Sequence, residues 1–320
     1  MRLNASDAFW RRTPPALFPS TLGVIGLSLG WRAAGGFGAL IGDLLLIAGG
    51  GFFAFAFLAY AMKLAARPSA LLVDLDPMEG RAAVSAGSMC LMMLAASLYA
   101  ATGAAGPATA LWLAGLALHF VYALVVATAF FARPAADRLV APPLFLPAIG
   151  VIVAPIAGVP LGFGGASALL LAYAVPVGFL IGWLSLLSYV SGKTSFRLRP
   201  AAAIPLAPAS VAGSCAALFG AEQLFTAFLV VSCGLAAGCV FGARWLAAGG
   251  PSPLWGAFTF PAAAFAGLIV AADGLWGGLW SGAAIAALAA ATLIVLPIWA
   301  MTARDWASGR LAVATGATTA

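Results

Sequence analysis

Ten runs of apolar residues, each near the roughly 20 residues that carry a helix across a bilayer, follow one another along the chain. They cover 16–33, 40–62, 82–101, 109–131, 142–162, 167–190, 201–220, 222–245, 256–273 and 277–302. Such a chain has few options. In lipid every backbone N–H and C=O must find a partner inside the protein, so the runs are either helices or strands of a closed barrel. No run alternates polar and apolar residues at a period of two, which removes the barrel. Only 8% of the residues are charged, against roughly 25% in a soluble domain, so a water-soluble globule would lack a polar coat. The expected fold is an all-α integral membrane protein. One domain over 1–320 holds ten transmembrane helices, with short tails at 1–15 and 303–320. The opening "MRLNASDAFWRRTPP" lacks the apolar core and cleavage site of a signal peptide, so the first run is expected to stay as a span.

Charge orients the spans. Of 15 basic residues, all but Arg32 lie in the tails or in loops that follow an even-numbered run, from Arg2 to Arg310. Arg32 shares the opposite face with Asp43, Glu222 and Asp273. Positive charge marks the cytoplasmic side, so both termini are expected there. Most tryptophans fall near the ends of the runs, as interfacial belts do, although Trp183 is deeper.

Connections on the far face are short, so consecutive runs pair into five hairpins. Five similar hairpins suggest a ring with one helix of each pair inside. Proline says which. The odd-numbered runs contain Pro19, five prolines from Pro142 to Pro160, Pro205, Pro208 and Pro261, whereas the even ones hold only Pro176 and Pro297. A proline removes a backbone donor, and a helix broken this way is tolerated where protein or a wet cavity surrounds it. The odd runs are therefore expected inside, some prolines merely starting helices. The third has none, and Gly87 is the residue there that can loosen a helix.

Several chemistries are missing. No Asp, Glu, Lys or Arg sits near the middle of a run. The one ionisable candidate is His119 in "LALHFVYAL", which suits either a structural hydrogen bond or a protonation role. A single histidine makes no metal cluster, and "GKTS" at 192–195 lacks the upstream glycine of a phosphate loop. No enzyme activity, cofactor or metal is expected, and the short basic loops follow the topology rule without implying nucleic acid. The four cysteines lie inside apolar runs and read as small buried hydrophobes. A pore without central charge can still select ions by width, backbone dipoles and the potential at its mouths. The basic loops predict a mouth that concentrates anions. Ser20, Thr21, Ser85, Ser88, Ser210, Ser214 and Thr259 on odd runs are hydroxyls that either line such a pore or bond the backbone.

Three stretches resemble one family. "PPALFPSTLGVIGLSLGWRAA" (14–34) is similar to the first helix of the tellurite-resistance/dicarboxylate transporter family. "RLRPAAAIPLAPASVAG" (197–213) resembles the start of its seventh helix, and "FTFPAAAFA" (258–266) its ninth. The family includes bacterial TehA, the plant slow anion channels, fungal malate transporters and sulfite exporters. The resemblance implies a pore through each subunit of a homotrimer in the inner membrane of a bacterium, lined by odd helices. Phe18 joins Ser20, Thr21, Ser88, Ser210, Ser214 and Thr259 as pore-lining candidates. The resemblance also implies that Phe260 plugs the pore. Pro261 disfavours helix at the residue before it, so a kink is expected at Phe260. The partners implied are small inorganic or organic anions. The alternative activity is secondary transport of C4-dicarboxylate, sulfite or a tellurite-related anion.

Overall fold

The computed structural model describes residues 9–134 and 138–317; Arg2 lies outside them. Every described element is helical. The first hairpin is α1 (Leu17–Ala33) and α2 (Gly36–Ala66). A short α3 (Ala70–Asp74) leads to the second, α4 (Met78–Thr102) and α5 (Ala105–Phe131). The third begins with two short pieces, α6 (Phe145–Ile149) and α7 (Ala154–Gly158), before the long α8 (Gly164–Val190). Then come α9 (Leu206–Leu218), α10 (Glu222–Phe241) and a one-turn α11 (Ala243–Leu246). The chain closes with α12 (Gly256–Trp276), α13 (Leu279–Ala307) and α14 (Arg310–Thr315).

Eight helical stretches are long and apolar enough to cross a membrane. Two expected spans fall short of that length. The 17 residues of α1 reach about 25 Å at 1.5 Å per residue. The fifth run is not the single helix that 142–162 suggests: 3-10 turns at Pro142–Leu144 and Gly150–Val153 alternate with α6 and α7. Pro147 and Pro155 supply no N–H, so an unbroken helical ladder cannot form there. The fragments survive because they are enclosed, with Ile149, Val151, Val153 and Ala154 buried.

Elsewhere proline breaks less than its placement suggests. Pro19 and Pro208 are third residues of α1 and α9, and Pro205 precedes α9. The first turn of a helix has no acceptor for those N–H groups in any case. Pro261 stands sixth in α12, and the helix runs through it without interruption from Gly256 to Trp276. Pro176 and Pro297 likewise sit inside intact helices.

Burial separates odd runs from even ones. The most apolar window is 78% buried in α4, 61% in 196–218 and 56% in 253–276. It is 28% in α2, α5 and α13, and 17% in α8 and α10. α1 packs on α4 and α12, α12 on α9, and the broken fifth run on both α4 and α9. Two smaller expectations are corrected. The described part of the expected tail, 303–317, is largely helical: α13 extends to Ala307 and α14 follows with Leu311 and Ala312 buried. Cys90 and Cys215 are buried, but Cys233 is exposed on the apolar outer face of α10 and Cys239 is half-buried.

Candidate functional site

Two cavities lie end to end along the odd runs. One, of about 800 Å³, opens on the side of the basic loops. The other, of about 520 Å³, reaches toward the far loops through Ala33, Ala100, Pro160, Leu218 and Leu275. Each is lined by residues from all five odd runs. Among the described residues a single one lines both, Phe260 of α12. Its side chain is 7% exposed, so the ring fills the space between the two cavities.

The seam between α1 and α12 puts the ring there. Gly23, Gly26 and Gly30 recur on α1 at spacings of three and four, which stacks them on one helix face. A Cβ on Gly23 would stand 2.5 Å from the Cβ of Thr259, so only glycine lets the helices approach this closely. The Thr259 hydroxyl lies 2.7 Å from the carbonyl of Gly256 and 3.0 Å from that of Pro19, a donor shared between its own helix and α1. Anchoring Thr259 fixes the direction of the next residue, Phe260, whose ring sits over Gly26; a Cβ there would meet its Cε2 at 3.2 Å. Pro261 follows and removes one helical hydrogen bond, the one Ala257 would have accepted. Ala257 and Pro261 both line the basic-side cavity, where a free carbonyl is tolerated.

The other candidates are dispersed. The hydroxyls of Ser20 and Thr21 both donate to the carbonyl of Leu17, at 3.1 and 2.8 Å. That of Ser88 donates to Ser85 at 2.7 Å. Of the hydroxyls only Ser214 lines a cavity, the far one, and it donates to Ser210 at 3.1 Å. Ser85 and Ser210 are buried without a hydrogen-bond partner and line neither cavity. Phe18 also lines neither: it lies over Gly87 and packs on Phe53, Phe57 and Tyr60 of α2. His119 is buried against the fifth run, with Nδ1 2.9 Å from Ser88 Oγ. Which of the two donates depends on the tautomer of the ring. A Cβ on Gly150 would run into the ring, so only glycine passes beside it.

The sequence model of the SLAC1 family, the voltage-dependent anion channels, matches residues 12–303, nearly the whole chain. The chain belongs to this family. No curated protein matches it. A SLAC1-family member is a membrane channel or transporter of anions, and both cavities fall within the matched region except where residues 314–317 of the C-terminal segment reach the basic-side opening.

Charge in the basic-side cavity differs from the expectation of a strongly basic mouth. Asp74, Asp76 and Glu79 line it, with Arg197 as the one basic lining residue among those described. Lys63, expected in a loop, belongs to the last turn of α2 and is fully buried. Its Nζ lies 2.8 Å from Asp74 Oδ2 and donates also to the Thr13 carbonyl at 3.3 Å, while the Tyr60 hydroxyl reaches the same carboxylate at 3.0 Å. Arg133 pairs with Asp76 at 3.4 Å. Buried Arg81 donates to the carbonyls of Leu75 and Asp76 at 2.8 and 2.7 Å, tying down the loop before α4. Gly80 packs so tightly on the Asp74 carbonyl that no side chain fits there. At the far side Arg32 is committed too, to Asp43 and the carbonyls of Ala100 and Ala101.

Proposed function

We propose that this protein conducts anions passively through a pore within each subunit, and that the Phe260 ring closes it. The observation that carries the reading is that, among the described residues, Phe260 alone lines both cavities, each of which draws on all five odd runs. The packing of α1 on α4, α4 on the fifth run, the fifth run on α9, α9 on α12 and α12 on α1 supports a closed ring of inner segments. The ten apolar runs then form five hairpins, with the less buried even helices outside. An apolar constriction excludes hydrated ions by expelling water, and moving one ring reopens it. The one-sided distribution of basic residues supports cytoplasmic termini in a bacterial inner membrane. The homotrimer is carried by the family resemblance.

Secondary transport of a C4-dicarboxylate, sulfite or a tellurite-related anion is the competing reading. His119, the ionisable group deepest within a span, lines neither cavity, which favours passive flow. Planar-bilayer recording decides. Passive flow expects the reversal potential to follow the chloride gradient and to ignore a proton gradient, with Phe260→Ala raising conductance at least about tenfold. A reversal potential that moves with the proton gradient makes the protein a coupled transporter. Tags at residues 4 and 316 are expected to report the cytoplasm; a periplasmic report from either overturns the topology.

A further inference from the structure

We propose that Arg197 is the residue that draws anions into the basic-side cavity, an inference that rests on the pore reading above. Of the four charged residues lining that cavity among those described, three are carboxylates, which by themselves would repel the ions an anion pore must admit. The carboxylates have cations nearby: Lys63 pairs with Asp74 and Arg133 with Asp76, while Arg81, two residues after Glu79 in α4, is held by the carbonyls of Leu75 and Asp76. Two of the three carboxylates are thus ion-paired. Arg197 stands apart: it is exposed, lines the cavity, and its guanidinium has no ion-pair or hydrogen-bond partner among the described residues. Its backbone N–H donates to Ser195 Oγ at 3.3 Å, at the start of the 3-10 turn that precedes α9. Two residues on, Arg199 has the opposite fate. Its guanidinium lies 4.5 Å from the Phe196 ring centre and 5.0 Å from that of Trp245, and it lines no cavity. One loop thus carries two arginines, one spent on aromatic faces and one free at the opening.

A single charge about 8 Å from an ion in water changes its local concentration about twofold to threefold. Salt sets the range of that influence, from about 30 Å at 0.01 M to about 3 Å at 1 M. The test uses the full-length Phe260→Ala protein, so that current is measurable, in chloride at low and high concentration. Arg197→Gln is expected to lower conductance about twofold to threefold at about 0.01 M, with the difference gone at about 1 M. Arg197→Lys is expected to restore the low-salt current. Arg199→Gln and Lys193→Gln, which remove the same charge from the same loop outside the cavity, are expected to lower it clearly less, because the effect of a charge falls with its distance from the ion path. The inference is overturned if Arg197→Gln matches its parent at low salt, if either control lowers the current as much, or if Arg197→Lys gives no rescue. An absence of anion current from the parent Phe260→Ala protein overturns the pore reading and this inference with it.

Discussion

Phe18 and Phe260 are built alike and sit in different surroundings. Each is a phenylalanine beside a proline, and each ring lies over a glycine of a neighbouring inner helix, Phe18 over Gly87 and Phe260 over Gly26. Phe18 is closed in on its other sides, with ring centres at 6.0 Å to Phe53 and 5.6 Å to Tyr60. Phe260 has a cavity at either side of its ring. The same local device therefore makes a packing contact in one place and a ring set between two cavities in the other. What separates them is the space around the ring, which no reading of the local sequence contains.

Truncating each ring gives the largest expected effects and can break the comparison outright. Phe18→Ala leaves a hole inside a closed aromatic cluster and is expected to cost about 3–5 kcal/mol, read as a loss of thermal stability, with conductance unchanged. Phe260→Ala is expected to cost less, because water can fill a space continuous with two cavities, while conductance rises steeply. Equal stability losses from the two, or a current that rises with Phe18→Ala, would mean that the two sites are not distinct.

Adding a methyl under each ring sharpens the contrast. In Gly87→Ala the new Cβ meets Phe18 Cδ2 at 3.1 Å, and the ring is hemmed in by α2, so about 1–3 kcal/mol of overpacking strain is expected. In Gly26→Ala the contact is with Phe260 Cε2 at 3.2 Å, and the ring has open space to move into. Little stability is expected to be lost, and the single-channel conductance is expected to change. A Gly26→Ala protein that unfolds as readily as Gly87→Ala would show that the Phe260 ring cannot yield.

Legibility in the sequence followed how local the cause was. Hydrophobic length placed most of the helices, because crossing lipid leaves no other backbone solution, but it missed the broken fifth run and the shortness of α1. Proline content pointed to the enclosed runs, but most of those prolines start helices, and Pro261 leaves α12 intact. Phe260 was reached through a family resemblance, whereas its support is a glycine seam on α1, whose three-and-four spacing was there to be read. The buried Lys63–Asp74 pair and the paired charges around the basic-side cavity were not legible. Counting basic residues by loop points to an orientation, yet says nothing about which carboxylates fold back to meet them. The hydroxyls were misleading for a related reason: a serine in a helix usually finds a carbonyl one turn back, and Ser20, Thr21 and Ser88 do so.

The smallest expected effect tests the closed region from its edge. Ser88 follows Gly87 on α4, and its hydroxyl shares a hydrogen bond with Nδ1 of His119 at 2.9 Å. If this belongs to packing, Ser88→Ala removes one hydrogen bond and is expected to cost about 1 kcal/mol, a net value typical of such bonds. Bi-ionic reversal potentials between chloride and nitrate are expected to stay where they are, because neither residue lines a cavity. His119→Gln keeps an amide donor within reach of the same oxygen and is expected to retain most of the stability and all of the conductance. A shift in anion preference from Ser88→Ala, with the protein still folded, would bring Ser88 onto the ion path. The partition between a closed Phe18 region and an open Phe260 region would then have to be redrawn with α4 as a pore wall at that depth.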